Sequence, residues 1–237
     1  MQVFDVQLDH TRYFVRSLPF GFKSMVDQSI EFWRLADSNF DRRWCEKRLQ
    51  FYFYDLTANG EKAMTKMLKV VFSDWGFKVH IGAPGTQESL EGLRIADVLK
   101  NRRGHPTVLV ALIGYLTQKL EIDLRVVEGD RHGLLKVISP DENWYFSLEK
   151  GGERLSTEQV LESMQLGGKT EFLEEVSKER LFVKYLEQIK EEFVLRQDWA
   201  NSILSLSWIL ELQPSSLKAI GERAQLYFKL DRKRHCL

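Results

Sequence analysis

From Pro106 to Leu120 the chain is apolar on nearly every side of a helical wheel: Val108, Leu109, Val110, Ala111, Leu112, Ile113, Tyr115 and Leu116 leave no face for water. Such a helix has to be surrounded by other elements, so it reads as the buried centre of a domain. The uncharged stretch Pro106 to Gln118 is too short to span a bilayer. Pro106 stands where a helix accepts proline, in its first turn, where the missing N–H has no partner to lose. The rest of the chain must therefore supply layers to cover this segment.

The flanking sequence offers them. Met1 to Leu8 alternates Phe4, Val6 and Leu8 against Val3, Asp5 and Gln7, which suits a short strand. Apolar positions from Phe22 to Leu56 fall at helical spacing, interrupted at Asp37-Ser38-Asn39, and Glu61 to Trp75 repeats the pattern up to Gly76. Lys78 to Glu88, with Gly82, Pro84 and Gly85, reads as a loop, and Leu90 to Arg103 as a helix closed by Gly104. After the central helix the period changes. Leu124–Val127, Gly133–Ile138 and Asn143–Leu148 are short runs separated by turn residues, a meander of antiparallel strands. Gly151-Gly152 turns out of that sheet, and Ser156-Thr157-Glu158 opens a short helix. Gly167-Gly168-Lys169-Thr170 marks a linker, and helix is expected from Glu171 onward. The expected organisation is an N-terminal strand and helix segment over 1–38, an α+β domain over 39–168 and a helical tail over 169–237.

Composition narrows the function classes. Lysine plus arginine and aspartate plus glutamate balance at 34 each, so no global field draws the chain to nucleic acid or an anionic membrane. The two cysteines, Cys45 and Cys236, form neither a disulfide framework nor a zinc site, and the histidines His10, His80, His105, His132 and His235 show no metal-ligand spacing. No cofactor is expected. Met1 to Phe20 carries Asp5, Asp9, His10, Arg12 and Arg16 in place of a continuous apolar signal core, which points to a reducing cytoplasm.

The tail carries a recognisable pattern. Asp198 to Pro214, ending Leu210-Glu211-Leu212-Gln213-Pro214, resembles the second helix of a tetratricopeptide repeat. Ala224 and Tyr227 stand at the spacing of that repeat's first helix, and Phe193 occupies the equivalent place one helix earlier. In this resemblance small residues (Ser202, Ala224) let helices approach closely, and Trp199 and Tyr227 are candidates for a partner surface.

The stretch from Val98 to Leu155 carries a second resemblance. Arg102-Arg103-Gly104-His105-Pro106 opens the hydrophobic helix, strands run through His132, and Gly151-Gly152-Glu153-Arg154-Leu155-Ser156 follows. In this order the segments resemble the bacterial transglutaminase-like family that carries C-terminal tetratricopeptide repeats (the SirB type), over roughly residues 40 to 230. The resemblance implies a helix-rich, papain-like fold with a small antiparallel sheet. In transglutaminase-like enzymes a cysteine heads the buried helix, a strand histidine is the base and an aspartate orients it. Those positions fall here at Pro106, His132 and near Ser147. The nucleophile is missing, the base is present and the orienting acid is replaced.

Two readings follow. In the first the chain is a non-catalytic scaffold or regulatory protein. It binds a protein or peptide through a degenerate cleft (Arg102, Arg103, His105, Thr107, His132) and through its tail. In the second it is a hydrolase or acyltransferase with a displaced nucleophile, Cys45 or Thr107, and His132 as base. Each residue also has a plainer role open to it: His132 bonded under a loop, Thr107 capping its helix, Arg102 and Arg103 as a solvated helix end.

Overall fold

The computed structural model describes residues 24–58, 64–127, 134–138, 143–163 and 175–230; Met1 to Leu8, His132 and Gly167 to Thr170 lie outside these. The described residues begin with α1 (Met25–Ala36), started by a capping box between Ser24 and Asp27. Asp41 Oδ1 accepts from Trp44 N at the start of α2 (Arg42–Ala58). Helix α3 (Met64–Lys69) runs into a π turn, Val70–Asp74, and stops before Gly76, whose φ of 71° suits glycine.

The expected helix from Leu90 to Arg103 and the loop before it are built differently. Two short helices, α4 (Gln87–Leu93) and α5 (Ile95–Asn101), meet at an extended Arg94. The Arg94 guanidinium bonds to Asp37, which fixes the break to the end of α1. Arg102 then turns left-handed (φ 58°), and β2 (Arg103–Gly104) pairs in parallel with β1 (Lys78–Val79) inside the expected loop. A Cβ on Gly104 would lie 2.7 Å from Val98 Cγ1, so this close approach requires glycine.

Helix α6 (Pro106–Lys119) is the central helix, buried from Pro106 to Ile113 and again at Leu116 and Thr117. Among the described residues its covering sheet has five strands, in the order Glu153–Leu155, Asn143–Ser147, Leu134–Ile138, Leu124–Val127 and Glu175–Val176, all neighbours antiparallel. The meander β3 (Leu124–Val127), β4 (Leu134–Ile138) and β5 (Asn143–Ser147) is as the sequence indicates. Two edge strands are not. Gly151 and Gly152, both at positive φ, turn the chain back into the sheet as β6 (Glu153–Leu155), not out of it. Helix α7 (Thr157–Ser163) follows, and β7 (Glu175–Val176) stands where helix is expected. Glu175 accepts from Arg125 at 2.7 Å and Lys136 at 3.0 Å, which holds that strand to the sheet.

Among the described residues three helices follow: α8 (Lys178–Leu195), α9 (Trp199–Leu212) and α10 (Leu217–Lys229), capped by Ser177, Asp198 and Ser216. Buried Ser202, Ser205 and Ser207 donate to the carbonyls one turn back, so α9 hides their hydroxyls at no loss of hydrogen bonding. One core runs from Met25 to Tyr227 through all three sequence segments. Its joint is Tyr185 on α8, whose hydroxyl donates to Leu93 O, accepts from Trp33 Nε1 and bonds Ser29 Oγ. Trp208 packs edge-on against Phe32 and Phe182. The result is a helix-rich α+β fold with a small antiparallel sheet and C-terminal helices. Among the described residues no helix is long and apolar enough to cross a membrane.

Candidate functional site: the head of the central helix

The parallel pairing of β1 with β2 delivers the chain to the N-terminus of α6. His80 N donates to Gly104 O, and His105 N donates to Gly92 O, so both backbones are fixed before the helix begins. His105 is the N-cap, with Nδ1 accepting from Thr107 N at 3.3 Å. That bond requires a bare Nδ1. Burial keeps the imidazole neutral and pushes its pKa down to about 4. Pro106 occupies the first helical position and is buried.

Thr107 Oγ1 lies 3.1 Å from His105 Nδ1 and donates to Gln188 Oε1 at 3.1 Å. Its single proton serves one of these acceptors at a time. Gln188 belongs to α8, and one turn on, buried Glu192 holds the adjoining loop: Oε2 accepts from Gly85 N and Oε1 from Ser89 Oγ, both at 2.8 Å. Arg196 Nη2 donates to Gln87 Oε1 one turn further. Helix α8 thus lies over the head of α6 and answers its polar groups from inside the chain. Nothing local to Thr107 announces Gln188 or Glu192; a half-buried glutamine and a buried glutamate on an amphipathic helix far along the chain make this closure.

The other predicted residues are dispersed. Ser147 is buried on β5, and its Oγ accepts from Lys150 N in the turn that follows. Cys45 is fully buried in α2, where burial first and Asp41 second push its thiol up to about 12. A thiol in that environment is protonated and hidden, the opposite of a reactive thiolate. Arg102, which ends α5, and Arg103 of β2 are exposed. Arg102 Nη1 donates to Trp75 O at 2.8 Å. His132 lies outside the described residues. Of the expected cleft, the structure brings His105 and Thr107 together and leaves the two arginines on open surface.

In the tail, Tyr227 is buried within the core, not displayed on a surface, and Trp199 is half-buried beneath Lys229 Nζ at 4.7 Å from its ring. The open feature there is a groove of about 430 Å³ between α8, α9 and α10, floored by Val194, Leu206 and Leu226 and crossed by a Lys190–Glu222 ion pair of 2.7 Å. A larger cavity of about 690 Å³ lies along Val110, Gly114 and Gln118 of α6 beside β3 and β7. Among the described residues no cluster of three or more His, Cys, Asp or Glu side chains is arranged to hold a metal ion.

Comparison with known proteins adds a family. The family described as Transglutaminase-like superfamily matches residues 37–187, a span that includes α2 to α6, the sheet and the first half of α8. The UPF0162 protein YchA of Escherichia coli strain K12 is 24% identical over 178 residues, covering 72% of this chain, and YchA of the O157:H7 strain matches equally. The chain spans 65% of the length of these curated relatives. No solved structure matches.

Proposed function

We propose, from the premise that the chain belongs to the Transglutaminase-like superfamily, that it is a non-catalytic member which binds a protein or peptide. The observation that carries this reading is the head of α6. Where the enzymes of this resemblance carry a cysteine, a buried proline stands, and the adjacent hydroxyl is tied to Gln188 under α8. Cys45 offers no substitute, because its thiol is buried and its pKa raised. The tail, with its resemblance to tetratricopeptide repeats of the SirB type, contributes a groove suited to an extended segment. The compartment of this reading is the cytoplasm.

The hydroxyl-enzyme alternative, stated with His132 as base, draws support only in a form where His105 takes that place, from the 3.1 Å between Thr107 Oγ1 and His105 Nδ1. It is opposed by basicity. A base whose conjugate acid has a pKa near 4 takes a proton from an alcohol poorly at neutral pH, and His105 Nδ1 already accepts from a backbone N–H.

The test compares acyl-transfer and hydrolysis turnover of the purified chain on glutamine-peptide, ester and thioester substrates with that of Cys45→Ala, Thr107→Val and His132→Ala. The expected outcome is the same background rate in all four, with Cys45 alkylated only on unfolding. Turnover in the wild type that disappears with His132→Ala or Thr107→Val overturns the reading.

A further inference from the structure

Strands β1 and β2 set Lys78 directly beside Arg103, in register and both on the exposed side. Like charges opposite one another across strands destabilise a sheet. Two more cations border this rung: Lys100 in the last turn of α5, and Arg102, held in the left-handed region with its guanidinium on Trp75 O. None of the four makes an ion pair among the described residues. The carboxylate one turn before Lys100, Asp97, lies 3.6 Å from the Arg94 guanidinium and feels the Lys100 charge as well, so Lys100 is partly compensated while Lys78 and Arg103 are not. The negative end of α5 accounts for Lys100 and Arg102, but it does not reach across to justify Lys78 beside Arg103. With a net charge of zero over the chain, this concentration is local.

We infer that Lys78, Lys100, Arg102 and Arg103 form a docking site for an acidic polypeptide segment, in which the partner's carboxylates relieve the repulsion within the rung. The inference rests on the reading of the chain as a binding protein and names the chemistry of the partner at the arginine side of its expected cleft. Charge complementarity selects an anionic occupant, and the zero net charge selects a short one. A long polyanion or a charged membrane meets the whole balanced molecule, whereas a short segment within about 8 Å, one Debye length at physiological salt, meets the patch alone.

The experiment titrates fluorescein-labelled hexaglutamate with the purified chain and follows anisotropy at low and high salt. Parallel titrations use hexaserine, a single-stranded oligothymidine and phosphatidylserine vesicles. Hexaglutamate is expected to bind saturably, to weaken with salt, and to lose roughly tenfold in affinity in the Lys78→Glu/Arg103→Glu double variant. Lys178→Glu, a cation on α8 away from the rung, leaves affinity unchanged. Lys78→Glu alone is expected to weaken binding while raising Tm by about 1–2 °C, because it replaces a repulsive rung with an attractive one. A merely structural rung would not couple a gain in Tm to a loss of binding.

Unchanged affinity in the double variant overturns the inference, as does absence of saturable hexaglutamate binding. Tighter binding of the oligonucleotide or the vesicles, lost in the same variants, overturns the acidic-peptide assignment in favour of that partner. If hexaglutamate fails and acyl-transfer turnover is also absent, only the docking site falls. Turnover overturns the non-catalytic reading whatever the patch binds.

Discussion

Between Arg102 and Thr107 the chain passes from one kind of surface to its opposite. Upstream, Lys78 and Arg103 stand exposed side by side with Lys100 and Arg102 close by in the chain, and among the described residues none of the four makes an ion pair. Downstream, His105 caps its own helix, Thr107 donates to Gln188, and Glu192 pins the loop beside them. The second arrangement explains itself, since His105 Nδ1, Thr107 Oγ1 and the Glu192 carboxylate have internal partners and hydrogen bonds offset their burial. The first does not, and a repulsion retained on the surface asks for an occupant from outside. Within one short segment, satisfaction marks structure and its lack marks binding.

The largest expected effect tests whether the downstream side is held by a neutral imidazole. Above pH 6.5 His105 is uncharged in the folded and unfolded chains alike. Between 6.5 and about 4 only the unfolded chain takes up the proton, so stability falls as pH falls through that window. The loss reaches about 3 kcal/mol below the folded pKa. His105→Asn, which keeps an N-cap acceptor, is expected to flatten this difference in urea unfolding across the window and to change stability little at neutral pH. A variant as acid-sensitive as the wild type would remove His105 from the account.

Next in size, Glu192→Ala leaves Gly85 N and Ser89 Oγ without their acceptor and is expected to destabilise by about 2 kcal/mol. Thermal unfolding measures this, and a Tm equal to that of the wild type would mean that the loop is held by something other than α8. The smallest effect sharpens the contrast most. Thr107→Val removes the bond to Gln188 at a cost of about 1 kcal/mol, yet should leave hexaglutamate affinity untouched. If affinity fell with Thr107→Val, the two sides of the segment would be one site.

What the sequence disclosed and what it withheld divide along range. The central helix, the helix start at Ser156, Pro106 at the first turn of α6 and the three-strand meander all follow from patterns a few residues long. The break at Arg94 is set by Asp37 on another helix, and β7 is held by Arg125 and Lys136 from other strands, so neither has a local signature. At the candidate site, the position of Pro106 was legible, whereas its closure by Gln188 and Glu192 was not, because those residues lie far along the chain. Tyr227 shows the same limit: an aromatic at repeat spacing fills the molecule's own interior as readily as a partner's.

The joint at Tyr185 has a consequence for how the protein is made. The two partners it needs from α1, Ser29 and Trp33, leave the ribosome long before α8 does, since 156 and 152 positions separate the pairs. At bacterial or eukaryotic elongation rates that interval is on the order of 10–30 s. During it the apolar side of α1, with Phe32 and Trp33, waits without the helix that buries it. A nascent chain arrested before residue 185 is therefore expected to be a client for holding chaperones, and release from them should coincide with emergence of α8.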